Sequence, residues 1–118
     1  MRNDARVLLW DIEQAAAAIE RFITGLDFET YANSELVHTA VERKFEIIGE
    51  ALSQLAKRDA VLASRIPELR DIIDFRNLLI HGYALVEHES VWQITHESLP
   101  ALRAAVADLV RELSGPMP

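Results

Sequence analysis

The chain has 118 residues, half of them apolar by type and 26% charged, so one packed domain is expected and extensive disorder is not. Nineteen acidic residues against twelve basic ones give a net charge of -7, which argues against a broad basic nucleic-acid surface or a membrane-surface protein. With no cysteine, disulfides, thiolate metal sites and cysteine nucleophiles are all excluded.

Turn residues are scarce: four glycines and four prolines, two of those prolines in the closing Gly115-Pro116-Met117-Pro118. A chain so poor in breakers reads as long helices with few connections. The opening segment MRNDARVLLWDIEQ alternates charged and apolar residues and lacks the apolar core of a signal peptide. No apolar run approaches the length of a membrane span. The expected compartment is the cytoplasm.

Ile12, Ile19, Phe22, Ile23 and Leu26 form one face of a first helix over 4–25. Val37, Ala40, Val41, Ile48, Ala51, Leu52 and Leu55 form a second over 34–57, with Asn33 or Ser34 as N-cap. Gly49 falls inside this helix at a cost of about 1 kcal/mol relative to alanine. A close helix crossing, within the chain or across a dimer, would account for it; the alternative is a tolerated glycine with no role. Residues 58–66 fit a short helix or a loop. A third long helix starts at Pro67, a favoured first-turn position, carries Leu69, Ile72, Ile73, Leu79 and Ile80, and stops at Gly82. In the last helix Trp92, Leu99, Val106 and Leu113 recur every seven residues, with Leu102 and Leu109 between them. Pro100 should kink this helix or mark a restart at Ser98. Four main helices on short connections predict an all-α, antiparallel four- to five-helix bundle: one domain over 1–114 and a flexible tail over 115–118.

Several chemistries drop out. There is no glycine-rich phosphate loop, serine elbow or His-Glu-x-x-His pair. Glu35-Leu36-Val37-His38 matches the Glu-x-x-His step of di-iron bundles, and Glu42 and Glu46 continue it, but no second such step exists. The ladder is therefore expected to be a solvated helix face, and no metal site is expected.

The remaining candidate is Arg76-Asn77-Leu78-Leu79-Ile80-His81-Gly82-Tyr83. On a helix, Asn77 and His81 lie roughly 40° apart and share a face, while Arg76 lies roughly 140° from His81. The two could converge if the helix unwinds at Gly82 or if a second copy supplies the missing group. Histidine can shuttle a proton to or from a ribose oxygen. Arginine offers forked donors to a phosphorane as its negative charge builds. Together they suit metal-free cleavage of RNA, whose own 2′-hydroxyl is the nucleophile. The bland alternative is an ordinary helix end, with His81 complementing the dipole, Arg76 paired to Asp71, Asp74 or Glu50, and Tyr83 packed over the terminus.

At these residues the sequence resembles the HEPN superfamily, marked by an arginine, a polar residue after it and a histidine four to six positions past the arginine. It is closer to the HEPN (HepT-like) toxins paired with minimal nucleotidyltransferase antitoxins, whose pattern is Arg, any four, His, any one, Tyr: Arg76, His81 and Tyr83, with Asn77 as the polar residue. Leu8-Leu9-Trp10-Asp11-Ile12, Glu46-Ile47-Ile48-Gly49-Glu50-Ala51, Val91-Trp92 and Leu99-Pro100 extend the resemblance over nearly the whole chain. A tryptophan shortly after the Ile-Pro step, common in the family, is absent, since Ile66-Pro67 is followed by Glu68.

The resemblance implies a homodimer whose two motif copies meet in a cleft, acting as a metal-independent endoribonuclease toxin on RNA, tRNA among the candidates. It makes Arg76 and His81 catalytic, Asn77 a positioning residue, and Tyr83 the residue that the partner nucleotidyltransferase would modify with AMP. No cofactor is implied. Residues 43–76 hold seven of the basic residues against six acids, so RNA binding would be local to the middle helices and salt-sensitive. The acidic remainder motivates a second hypothesis, a non-catalytic helical adaptor or substrate-binding subunit of a nucleotidyltransferase. A dimer is expected separately, from Gly49 and the apolar fraction of so short a chain.

Overall fold

Sparse glycine and proline should leave long helices intact, and the computed structural model, which describes residues 5–82 and 86–114, is built from helices alone among those residues. They are α1 (Ala5–Ile23), α2 (Phe28–Ala32), α3 (Glu35–Arg58), α4 (Ala60–Ala63), α5 (Leu69–His81) and α6 (His88–Ser114). Four are long and two are single turns, an all-α bundle.

The starts follow local chemistry. Ser34 caps α3, its Oγ accepting from the Val37 N–H at 3.2 Å. Asp27 and Asp59 cap the short helices through the N–H groups of Thr30 and Leu62; each satisfies a donor that the first turn leaves without a partner. Hydrogen bonds from the Thr30 N–H and hydroxyl hold the Asp27 carboxyl below its ordinary value. After α1 the chain reverses at Gly25, whose φ of 79° is one that a side chain would strain.

Residues 58–66, open between a helix and a loop, contain α4. Phe28–Ala32, unassigned in the sequence, is the other short helix. Three readings of the helix ends differ from expectation: α1 ends at Ile23, so Leu26, read as part of its face, lies beyond it. Pro67 lies in a turn closed by Leu69 N–H to Ile66 C=O at 3.2 Å, so α5 begins two residues later than predicted; a proline at the second position of such a turn is equally well placed. Pro100 neither ends α6 nor restarts it at Ser98, because the helix runs unbroken from His88 to Ser114. Leu99 and Leu102, fully buried on either side, hold it in place against a proline cost of about 3 kcal/mol. The heptad reading holds in the middle of α6, where Leu99, Leu102, Val106 and Leu109 are buried, and fades at the end, where Leu113 is exposed.

α3 is the central helix. α1 and α5 both pack along it, and α1 also lies along α6. The core joins Leu9, Ile12 and Ile19 of α1 to Phe45, Ile48, Leu52 and Leu55 of α3, Ile72 of α5 and the buried leucines of α6. Burial of each such side chain stabilises by about 1.5–3 kcal/mol before entropy is counted. Two charged clamps close the rim. Arg103 of α6 donates to Glu20 at 2.5 Å and to Glu13 at 2.8 Å on α1, and Arg65 forks onto Glu112 at 2.8 and 2.6 Å. No described helix is long and apolar enough to cross a membrane.

Candidate active site

α5 is fixed to α3 where their backbones come closest. Gly49 is buried on α3, and a β-carbon built there would stand 2.2 Å from Cβ and 2.6 Å from Cγ of Arg76. The mid-helix glycine therefore marks a crossing within the chain, and its support for a dimer falls away. One helix turn further up, Phe45 and Phe75 meet edge to face at 5.3 Å, a geometry suited to ring quadrupoles. This seat aims the arginine. Of the three acids offered as partners, it takes Glu50: Arg76 Nη2 donates to Glu50 Oε1 at 2.5 Å. Nη1 donates to Asn77 Oδ1 at 2.9 Å, while Nε is buried with no partner. The Arg76 side chain is 24% exposed beside a Glu50 side chain that is 49% exposed, so the guanidinium is held in place and its charge is balanced at the rim of the fold.

His81 is the last residue of α5 and is exposed, as is Asn77. Helical geometry persists through His81, and the Gly82 N–H caps the end on Leu78 C=O at 2.8 Å. Gly82 has φ -135°, so it ends the helix without the left-handed turn that favours glycine. Unwinding thus does not bring Arg76 and His81 together. Asn77 and His81 share a solvent face, and Arg76 faces α3. Among the described residues no hydrogen bond or ion pair joins Arg76 to His81. Of the two routes to convergence, a second copy of the segment is the one left. Tyr83 lies outside the described residues.

Beside Arg76 runs an open groove of about 350 Å³, lined by Val7, Leu8 and Asp11 of α1, Arg43, Glu46 and Glu50 of α3, and Arg76 and Ile80 of α5 among others. Apolar side chains stand exposed along two of these helices: Val7 and Trp10 on α1, Leu78 and Ile80 on α5.

The acidic ladder of α3 is not the solvated face expected of it. Glu35 is exposed, but His38 and Glu42 are half-buried and meet His88, the first residue of α6. Burial raises the Glu42 carboxyl above its ordinary value, an effect that His38 and His88 partly offset. Burial, and secondarily the charge of Glu42, pushes the Tyr31 phenol up as well. His88 and Tyr31 had no signal in the sequence: forty-six positions separate Glu42 from His88, and no short motif spans such a gap.

A helical bundle that presents Arg76, Asn77 and His81 on one helix end belongs to the HEPN class. The family model described as "Ribonuclease HepT-like" matches residues 12–109, and the chain belongs to that family. Its relatives include a protein of Thermococcus cleftensis given the provisional name ribonuclease HepT, 32% identical over 103 residues (87% of this chain, 93% of the relative). Two others are provisionally named RNases: one of Methanocaldococcus jannaschii, 29% identical over 107 residues (89% and 95%), and one of Caldanaerobacter subterraneus, 29% identical over 101 residues (86% and 88%). No solved structure gives a significant match.

Proposed function

We propose that this member of the HepT-like ribonuclease family is an endoribonuclease toxin that cuts RNA without a metal ion, in a cleft made by two copies of the chain. The carrying observation is the fixed Arg76 on the α3 side of α5 with His81 exposed on another face at the end of the same helix. One chain offers two halves of a site that point apart; a two-fold partner would bring the arginine of one copy to the histidine of the other. The exposed Val7, Trp10, Leu78 and Ile80 supply apolar surface for that pairing.

In this reading residues 1–114 act as one HEPN-like domain, with 115–118 as a tail. His81 moves the proton between the ribose 2′-hydroxyl and the leaving oxygen. Arg76 stabilises the phosphorane through the N–H groups of its amino nitrogens, and Glu50 and Asn77 hold it in position. Single-stranded loops or ends, tRNA loops included, suit a narrow cleft better than duplex does. A nucleotidyltransferase antitoxin would silence the site by transferring AMP to Tyr83, since each added phosphate brings negative charge and bulk to a cleft that must bind an anion.

Cleavage of total RNA and of a tRNA pool, in EDTA, tests the activity with protein made without any nucleotidyltransferase. Wild type should cut and His81→Ala should not. If neither cuts, and intact mass shows Tyr83 unmodified, the adaptor reading takes its place. Tyr83→Phe should keep cleavage and lose AMP acceptance; continued AMP transfer to that variant would remove Tyr83 from its assigned role.

A further inference from the structure

His38 and Glu42 are four residues apart on α3 and so share a face, and His88 at the start of α6 closes over them. The Nδ1 atoms of His38 and His88 stand 3.8 and 3.9 Å from the same oxygen, Glu42 Oε2. One donor atom from each of the three residues lies within 4.8 Å of the others. The two imidazoles stack with centroids 4.1 Å apart, and both Nδ1 atoms are buried without a hydrogen-bond partner. Beneath them Tyr31 is fully buried, its ring edge-on to His38 at 6.3 Å and to His88 at 6.2 Å, and its hydroxyl also lacks a partner.

A buried polar group normally finds a partner. Here two of them, from two helices, stand about a single carboxylate with their bonding capacity unused, and a third, the Tyr31 hydroxyl, belongs to a ring packed against both. Glu42 leaves both imidazoles unsatisfied, because each Nδ1 is beyond hydrogen-bond distance of its Oε2. A tetrahedral zinc with bonds of about 2.0–2.1 Å would set neighbouring donors roughly 3.3 Å apart, so each imidazole must close by about half an ångström on the Glu42 oxygen, and the two imidazoles on each other from within 4.8 Å. Rotation of the exposed-edge His88 side chain, 38% accessible, can supply that closure.

We propose that His38, Glu42 and His88 form a binding site for one divalent transition-metal ion of the zinc type, joining α3 to the start of α6. Two imidazoles and one carboxylate suit zinc and its transition-metal neighbours, and disfavour magnesium and calcium, which prefer all-oxygen sets. Three protein donors leave one coordination position for water or another exchangeable group. The ion would sit apart from the ribonuclease motif, since Glu42 precedes Glu50 by eight residues, roughly 12 Å along α3. The proposal stands whether or not the chain cuts RNA, and it assigns the ion no part in cutting.

The test is zinc titration of the chelator-stripped full chain by calorimetry, with thermal melting alongside. Wild type should bind one zinc per chain and melt at a higher temperature with it. His88→Ala and the near-isosteric Glu42→Gln should each weaken binding at least tenfold and abolish the shift, while His96→Ala, a neighbouring histidine outside the cluster, should behave as wild type. Diethylpyrocarbonate footprinting of wild type makes the same test without a variant: zinc should protect His38 and His88 and leave His81 reactive. Absence of one-to-one binding, undiminished binding by folded His88→Ala and Glu42→Gln, or no protection of His38 and His88 would each overturn the site.

Discussion

Gly49 and Arg76 touch where α3 crosses α5, and the space a β-carbon would need at 49 is already filled by the stem of the arginine. Gly49→Ala gains about 1 kcal/mol of helix propensity. It also forces apart two atoms that are not the free end of a side chain, an overpacking that costs about 1–3 kcal/mol. We expect a net loss of up to about 2 kcal/mol in urea unfolding, and a loss of RNA cleavage larger than that destabilisation explains, because Arg76 moves. A more stable variant would show that the crossing is looser than described.

The core and the surface of α3 should respond oppositely. Leu52 is fully buried and Leu36 is 82% exposed. Leu52→Ala should cost about 2–5 kcal/mol by leaving a cavity, whereas Leu36→Ser should stay within about 0.5 kcal/mol of wild type. Equal effects in chemical denaturation would contradict the orientation of the central helix.

Arg103 ties α6 to two carboxylates of α1, Glu13 and Glu20. Its hydrogen bond to Glu13 chiefly raises its own affinity for the proton, so it stays charged throughout the accessible range. Arg103→Met, which retains the aliphatic stem, should cost about 1 kcal/mol. The loss should shrink in molar salt as screening weakens the pair that was removed. A salt-independent difference would mean the stem, rather than the charge, matters.

The hydrogen bond from Arg65 holds the Glu112 carboxyl below its ordinary value of 4.5. A depressed folded value means that the pair contributes above 4.5 and that its contribution disappears as pH falls through the folded value. The melting temperatures of wild type and Glu112→Gln should therefore differ slightly at pH 7 and converge in strong acid. Divergence toward low pH would reverse the assigned sign.

Local chemistry made most of the bundle readable. Ser34 stands where a cap is needed, and the apolar spacing of α3 matches its buried face, whereas of the face read for α1 only Ile12 and Ile19 are buried and Leu26 lies past the helix end. Phe28–Ala32 escaped because five residues hold too few apolar positions to show a period, although Asp27 at its start is a cap by type. Pro67 and Pro100 misled in opposite directions: a turn proline is as good locally as a first-turn proline, and buried leucines on both sides override a proline inside α6. Arg76, Asn77 and His81 could be picked out as a motif, and Gly49 as an oddity, but that the one seats the other is a tertiary fact. The same holds for His88, which reaches His38 and Glu42 only because α6 returns across α3.

Mixing two dead variants tests the two-copy cleft most directly. Arg76→Ala and His81→Ala, each inactive alone, are unfolded together, refolded and assayed on RNA in EDTA beside each refolded alone. If one copy's Arg76 works with the other's His81, a mixed dimer keeps one intact site of two, and random pairing returns about a quarter of wild-type cleavage. Cleavage no greater than that of the separate variants, with mixed dimers present by native mass and wild type active, would contradict a site shared across the interface.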